Sequence, residues 1–203
     1  MRILKKFANG MVASLLAVGL TCTAQAGEID PHAGHVMTHQ TMRSIGHYAS
    51  PHIRLIRNDG KLVTLNDELD DGRPVIVNFI FTTCTTVCPV SSRIFSTLQH
   101  ALRGEHSPVH LLSISIDPEQ DTPSELQKYA RKYRAGPNWN FYTGTLEASI
   151  ATQQAFDVYH GDKMDQTPVT MLRAAPGEPW LRIDGFASAQ DLLEDIHDLV
   201  ENR

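Results

Sequence analysis

The chain has 203 residues, 41% hydrophobic and 20% charged, with a net charge of −5, an ordinary globular composition for a single domain with appendages. That excludes a collagen-like, low-complexity or wholly disordered chain, and the acidic balance argues against an electrostatic nucleic-acid binder, which needs clustered Lys and Arg. The three cysteines are too few for a disulfide-scaffolded mini-protein, so Cys84 and Cys88, four apart, need another reason to exist.

Residues 1–26 read as a secretory signal: Arg2, Lys5 and Lys6 form a positive start, Met11 to Leu20 a short apolar run, and Ala24-Gln25-Ala26 a small-residue cleavage site. The apolar run is shorter than the roughly 20 residues of a membrane span, and Gly19-Leu20-Thr21 ahead of Cys22 fits a lipid-anchor pattern poorly. Cleavage after Ala26 leaves Cys84 and Cys88 as the only cysteines. It also removes Arg2, Lys5 and Lys6, taking the charge from −5 to −8. The expectation is an exported, periplasmic protein in a compartment where disulfides persist.

Residues 27–50 read as a mobile tail with no helical or strand period. With His52 just beyond, this region holds His32, His35, His39 and His47, half of the ten histidines, and also Met37 and Met42. Imidazole and thioether are copper donors, so the tail is either a weak, adaptable copper trap or a solvated linker.

Residues 51–203 are regular. Ile53–Arg57 and Leu62–Leu65 flank Asn58-Asp59-Gly60 as an N-terminal β-hairpin. Pro74–Phe81 is a nearly continuous apolar run, a strand buried on both faces. Pro89 suits the first position of the following helix, whose stripe is Ile94, Leu98, Ala101 and Leu102. Val109–Ile116 is a second buried strand. Thr122-Pro123-Ser124-Glu125 then caps another helix, Phe141-Tyr142 forms a short strand, and Thr145–Tyr159 reads as a helix. Val169–Leu172 and Trp180–Ile183 form a hairpin around Pro176-Gly177, and Ser188–Glu201 is a terminal helix burying Leu192, Leu193 and Ile196. The pattern is one α/β layer fold with a central mixed sheet flanked by helices.

The cysteines fall where the first central strand ends and a helix begins, the end of an open sheet where sites form. Two neighbouring thiols either exchange with disulfides, one attacking and one resolving, or present soft sulfur to copper(I) or zinc. A helix start favours the thiolate that both roles require. A disulfide needs Cβ atoms about 3.5–4.5 Å apart, closer than helical residues four apart, so Cys84 is placed in the loop. An inert disulfide would constrain little chain in so small a loop.

The run Val77-Asn78-Phe79-Ile80-Phe81-Thr82-Thr83-Cys84-Thr85-Thr86-Val87-Cys88-Pro89 resembles the signature of the Sco/SenC family. Ser115-Ile116-Asp117-Pro118-Glu119-Gln120-Asp121-Thr122-Pro123 is similar to that family's second hallmark, and Trp139–Gly144 to a third block. The resemblance implies a thioredoxin-like fold and a role in copper delivery or thiol redox during cytochrome oxidase assembly. It implies Cys84 and Cys88 as copper ligands and redox pair, with Asp117 nearby. Where the family has a third ligand, a histidine before the penultimate hairpin, this chain reads Asp165-Gln166-Thr167-Pro168. Gln166 is a poor copper(I) ligand, which leaves His160, six residues earlier, as the nearest replacement. A second replacement would come from the tail through His32, His35 and His39. Thr167-Pro168-Val169 also resembles the proline segment that faces the cysteine pair in thioredoxins; the plain alternative is a strand-starting proline at a sheet edge.

The leading expectation is therefore an exported copper chaperone and thiol–disulfide protein, with catalytic residues Cys84, Cys88 and Pro168 and metal ligands Cys84, Cys88 and His160. Its client would be a copper protein or cysteine-containing protein such as a cytochrome oxidase subunit, its cargo copper, and its contact with a membrane only through that client. The alternatives are a thiol–disulfide oxidoreductase that binds no copper physiologically, and a copper carrier using the His/Met tail. A peroxidase lacks support, because no Pro-x-x-x-Thr-x-x-Cys run surrounds Cys84.

Overall fold

The computed structural model describes residues 41–202. The expectations for the signal segment, for Cys22 and for His32, His35, Met37 and His39 lie outside them. Among the described residues eight strands form one sheet: β1 Met42–Gly46, β2 Arg54–Arg57, β3 Leu62–Thr64, β4 Val75–Ile80, β5 His110–Ser115, β6 Trp139–Thr143, β7 Val169–Arg173 and β8 Trp180–Asp184. Five α-helices accompany them: α1 Leu65–Leu69, α2 Val87–Gly104, α3 Pro123–Lys132, α4 Leu146–Ala155 and α5 Ala189–Glu201.

The spatial order is β1-β8-β7-β4-β5-β6-β2-β3. The β4–β5 and β5–β6 pairs are parallel, and the others antiparallel. This is the thioredoxin-like mixed sheet, with the N-terminal hairpin β2–β3 added along β6. Every residue of β4 and β5 is buried, which explains their largely apolar runs: sheet lies on both sides of each and packed side chains on both faces. The core around them includes Phe95, Leu98, Trp139, Phe141, Phe156 and Trp180, and α2 packs beside α5.

Capping follows the sequence closely. Thr122, Thr145 and Ser188 accept from the N–H groups of Glu125, Ala148 and Asp191, and Ser188 with Asp191 forms a reciprocal capping box. Three boundaries differ from expectation. First, α2 begins at Val87, so Pro89 is its third residue rather than its first. That costs nothing, since the early N–H groups of a helix have no partner inside it. Second, α4 ends at Ala155, because Asp157 adopts φ +52°, outside the helical region.

Third, the stretch expected to be tail through residue 50 contains β1, paired antiparallel with β8 from Met42 opposite Asp184 to Gly46 opposite Trp180. Arg43 fastens it to α5 through Asp195 at 3.0 Å. This strand showed no period because it is a sheet edge with little buried; Met42 and Ile45 are 68% and 62% exposed.

At the sheet end opposite the cysteines, β5 opens with His110, 1% exposed. Its Nε2 lies 3.0 Å from the Asn140 amide and 3.3 Å from the Tyr142 hydroxyl, which donates to Glu68. Its Nδ1 faces Asp71 at 3.7 Å, with Arg73 paired to that same carboxylate. Burial, and then the Arg73 charge, lower the His110 pKa against the pull of Asp71 and Glu68. With the folded value below the unfolded value, stability is complete above roughly pH 6.5. It falls as pH drops below that, where only the unfolded chain takes the proton. Urea titrations should show this loss as pH falls below roughly 6.5, with a slope of up to about 1.4 kcal/mol per pH unit, absent in His110→Asn. An unchanged slope in the variant would contradict the assignment.

Candidate functional site

The site grows from the end of β4. Once β4 leaves the sheet, the Ile80 carbonyl accepts from Ile116 N–H, and the chain must turn into α2. Thr82 makes the turn rigid: its N–H donates to Asp121 Oδ1 at 3.0 Å, and its hydroxyl donates to the same oxygen. Asp121 is 0% exposed and also accepts the Ser115 hydroxyl at 2.6 Å. One buried carboxylate thus joins the loop after β4, the end of β5 and the entry to α3. Burial raises its pKa, a penalty that the donors from Ser115 and Thr82 oppose.

Cys84 N–H donates to Phe81 O at 3.2 Å, forming a tight turn that leaves Cys84 in the loop, as the spacing predicted. Its Sγ accepts the Cys88 N–H at 3.3 Å and lies 3.8 Å from the Thr86 hydroxyl. Thr86, the N-cap of α2, makes no side-chain capping bond. The sulfur of Cys84 therefore takes up one of the unpartnered N–H groups of the first helical turn. Both cysteines are free thiols, 8% and 1% exposed.

The two thiols are unlike. Burial pushes Cys84 up, but donors from the Cys88 thiol, the Cys88 and Thr86 N–H groups and the Thr86 hydroxyl outweigh it, and its pKa falls below the ordinary thiol value. Burial pushes Cys88 far above that value, and its bond to Cys84 and the negative charges of Cys84 and Asp121 push the same way. A more acidic outer thiol and a protonated inner thiol suit attack by Cys84 and resolution by Cys88.

Gln166, 9% exposed, closes the inner side. Its amide donates to Phe79 O at 2.8 Å, and its Oε1 stands 4.0 Å from Cys88 Sγ. The side chain where the resemblance expects imidazole is thus placed against the cysteine pair. Pro168, half-buried, precedes β7, and its carbonyl accepts from Gly185 N–H at 2.9 Å. The pairing of Asn78 with Thr170 brings this start of β7 beside the end of β4. Since β7 lies between β4 and β8, Pro168 is not at a sheet edge. His160 is exposed in the turn after α4 and lines a cleft of about 380 Å³ that Gln166 also borders. Among the described residues no three His, Cys, Asp or Glu side chains converge, so His160 is not gathered with the thiols. Met42, His47 and His52, the donors of the His/Met region that are described, are exposed.

Asp117, expected nearby, binds Lys163 Nζ at 2.5 Å, and this ammonium sits 5.7 Å from the Phe81 ring centroid. The anchoring role of Asp121 and the presence of Lys163 carried no sequence signal of their own. Four acidic or amide residues stand in the run 117–121, and nothing in it marks which is buried.

Two outcomes follow. Iodoacetamide should alkylate Cys84 well before Cys88, at a pH below that of an ordinary thiol, as read by peptide mass mapping; equal rates would contradict the asymmetry. Asp121→Ala should cost on the order of 3 kcal/mol by leaving buried donors unpaired, and should speed Cys88 alkylation as the loop loosens. Unchanged stability and protection would refute the anchor.

Comparisons with known proteins agree with this architecture. The SCO1/SenC family model matches residues 43–201. The SCO1 protein homolog of Bacillus subtilis (strain 168) is 40% identical over 93 residues, covering 45% of this chain and 47% of that protein. The chain thus spans about half the length of that relative. BsSco, described as a member of the Sco family of cytochrome c oxidase assembly proteins with a disulfide switch, is 26% identical. Its structure aligns with a TM-score of 0.66, covering 80% of this chain and 99% of BsSco. The copper-bound structure of Bradyrhizobium japonicum ScoI shares the fold at 24% identity and a TM-score of 0.60, covering 77% and 99%. With a family model spanning nearly all the described residues and the same fold around the cysteine loop, the chain belongs to the SCO1/SenC family.

Proposed function

We propose that this protein is an exported copper chaperone that holds copper(I) on Cys84 and Cys88. It would deliver copper to a client copper protein such as a cytochrome oxidase subunit, and the same pair would exchange with client cysteines as dithiol and disulfide. The observation carrying this reading is the Cys84 sulfur held on the Cys88 N–H at the start of α2, with the second thiol buried behind it. Two thiolates are soft donors that select copper(I) over hard cations, and the donor set therefore fits this cargo. Each thiol must lose its proton to bind metal. Cys84 is prepared for that loss, whereas Cys88 yields its proton only as the metal replaces it.

Gln166 gives the reading its particular form. A carboxamide offers copper(I) far less than imidazole, so the pair would grip its cargo by sulfur alone and release it readily. In this reading Gln166 fixes the depth of the pocket, and Pro168 sets the start of the strand beside it. His160 stays outside the metal shell. The unequal thiols and the missing imidazole also favour the second reading, a thiol–disulfide oxidoreductase in which copper plays no physiological part.

Titration with copper(I) against a competing chelator separates these readings. The reduced protein should take up roughly one equivalent. Cys84→Ser or Cys88→Ser should weaken binding by about 100-fold or more, and Gln166→His should tighten it about tenfold. Removing residues 27–40 should leave the affinity intact. Copper retained without the cysteines but lost with residues 27–40 would move the site to the tail. No binding in the intact reduced protein would leave the oxidoreductase reading.

A further inference from the structure

We propose that the cleft beside the cysteine pair is a docking site for a segment of a partner polypeptide that carries an apolar side chain next to Lys or Arg. This rests on the reading of Cys84 and Cys88 as the exchange pair and names the chemistry of the partner that reaches them.

The cleft, about 380 Å³, lies between α4 and the turn holding His160 to Gln166. Leu146, Ile150 and Tyr159 form its apolar side; Leu146 and Tyr159 are 48% and 44% exposed, although large apolar side chains are ordinarily covered. Its polar side is predominantly acidic. Asp117, Glu119 and Asp162 line it, and the only Lys or Arg among the lining residues, Lys163, is already given to Asp117. Gln153 adds a further acceptor. It is 8% exposed, and its amide nitrogen donates to the Ser149 hydroxyl at 3.1 Å. A cleft with an apolar wall and three carboxylates against one ammonium complements a segment with apolar bulk and positive charge.

Position gives the cleft its use. Gln166 borders it and touches Cys88 from the other side, so a segment seated there sets its neighbouring residues at the thiols. A partner cysteine held in a disulfide would meet the Cys84 thiolate. The new bond joins Cys84 to the partner sulfur, and the old disulfide breaks, its other sulfur leaving with the electron pair. Cys88, losing its proton to solvent, then displaces the partner thiolate and closes the Cys84–Cys88 disulfide. The partner is reduced and the pair oxidised.

The test uses two capped peptides, Cys-Gly-Leu-Lys-Lys and Cys-Gly-Leu-Glu-Glu, each as a mixed disulfide with nitrothiobenzoate, and fluorescein-labelled versions with Ser for Cys. At low salt the reduced protein should react with the basic peptide about tenfold faster than with the acidic one. Anisotropy should rank the labelled pair in the same order. Glu119→Lys with Leu146→Ser should bring both ratios below about twofold, while leaving the rate with neutral hydroxyethyl disulfide unchanged. Equal binding of the two labelled peptides overturns the docking site and leaves the thiol chemistry standing. Selective binding with no reaction at Cys84 supports the docking site and overturns the exchange reading. Selectivity that survives the double substitution overturns the assignment to this cleft.

Discussion

The carboxylate of Asp121 sits where three segments of the chain meet, fully buried and accepting from Thr82 N–H, the Thr82 hydroxyl and the Ser115 hydroxyl. Such a group is expensive to desolvate and is stabilised only by the donors around it. The arrangement therefore holds as a unit: displacing the loop after β4 would strand both the charge and its donors. The cysteine loop is anchored by this ion rather than by apolar packing alone, and the turn at Cys84 and the start of α2 inherit their positions from it. Asp121 also lies near enough to Cys88 to oppose its ionisation, so the anchor helps to set the chemistry it supports.

From that anchored loop the difference between the thiols follows directly. Helix α2 offers N–H groups that its own N-cap does not take, and Cys84 supplies the sulfur that does. Cys88, one residue into the helix, is turned inward toward Gln166, where no cation or backbone donor compensates for burial as fully. The two sulfurs are the same element four residues apart, yet one is prepared to be an anion and the other a thiol. Gln166 stands against the inner thiol, its amide nitrogen tied to β4 through Phe79 and its oxygen facing Cys88. The SCO1/SenC fold thus supplies the scaffold, and the side chain at position 166 is the one that it sets against the inner thiol.

Much of this was legible in the sequence. Apolar runs marked β4 and β5, capping residues marked α3 and α5, and the pair Cys84/Cys88 marked the site. What escaped had physical reasons. Strand β1 buries little and so carries no period; its pairing with β8 and the Arg43–Asp195 bridge span the length of the domain. Pro89 stands inside α2 because a missing N–H is equally harmless throughout a first turn, so proline marks that turn without fixing its first residue. The partners that complete the site, Asp121 for Thr82, Gln166 for Cys88 and Lys163 for Asp117, are separated by 39, 78 and 46 residues. Local spacing encodes none of these. His160, the histidine nearest in sequence to the expected ligand position, is exposed in its turn, since proximity along the chain does not direct a side chain inward.

The central claim is that the two sulfurs of Cys84 and Cys88, without an imidazole, form the copper site. X-ray absorption at the copper edge of the reduced protein loaded with one equivalent of copper(I) tests it most directly. The account predicts a two-coordinate shell of sulfur scatterers with no imidazole contribution. A shell of nitrogen scatterers, or imidazole in the first shell of the unaltered protein, would contradict it.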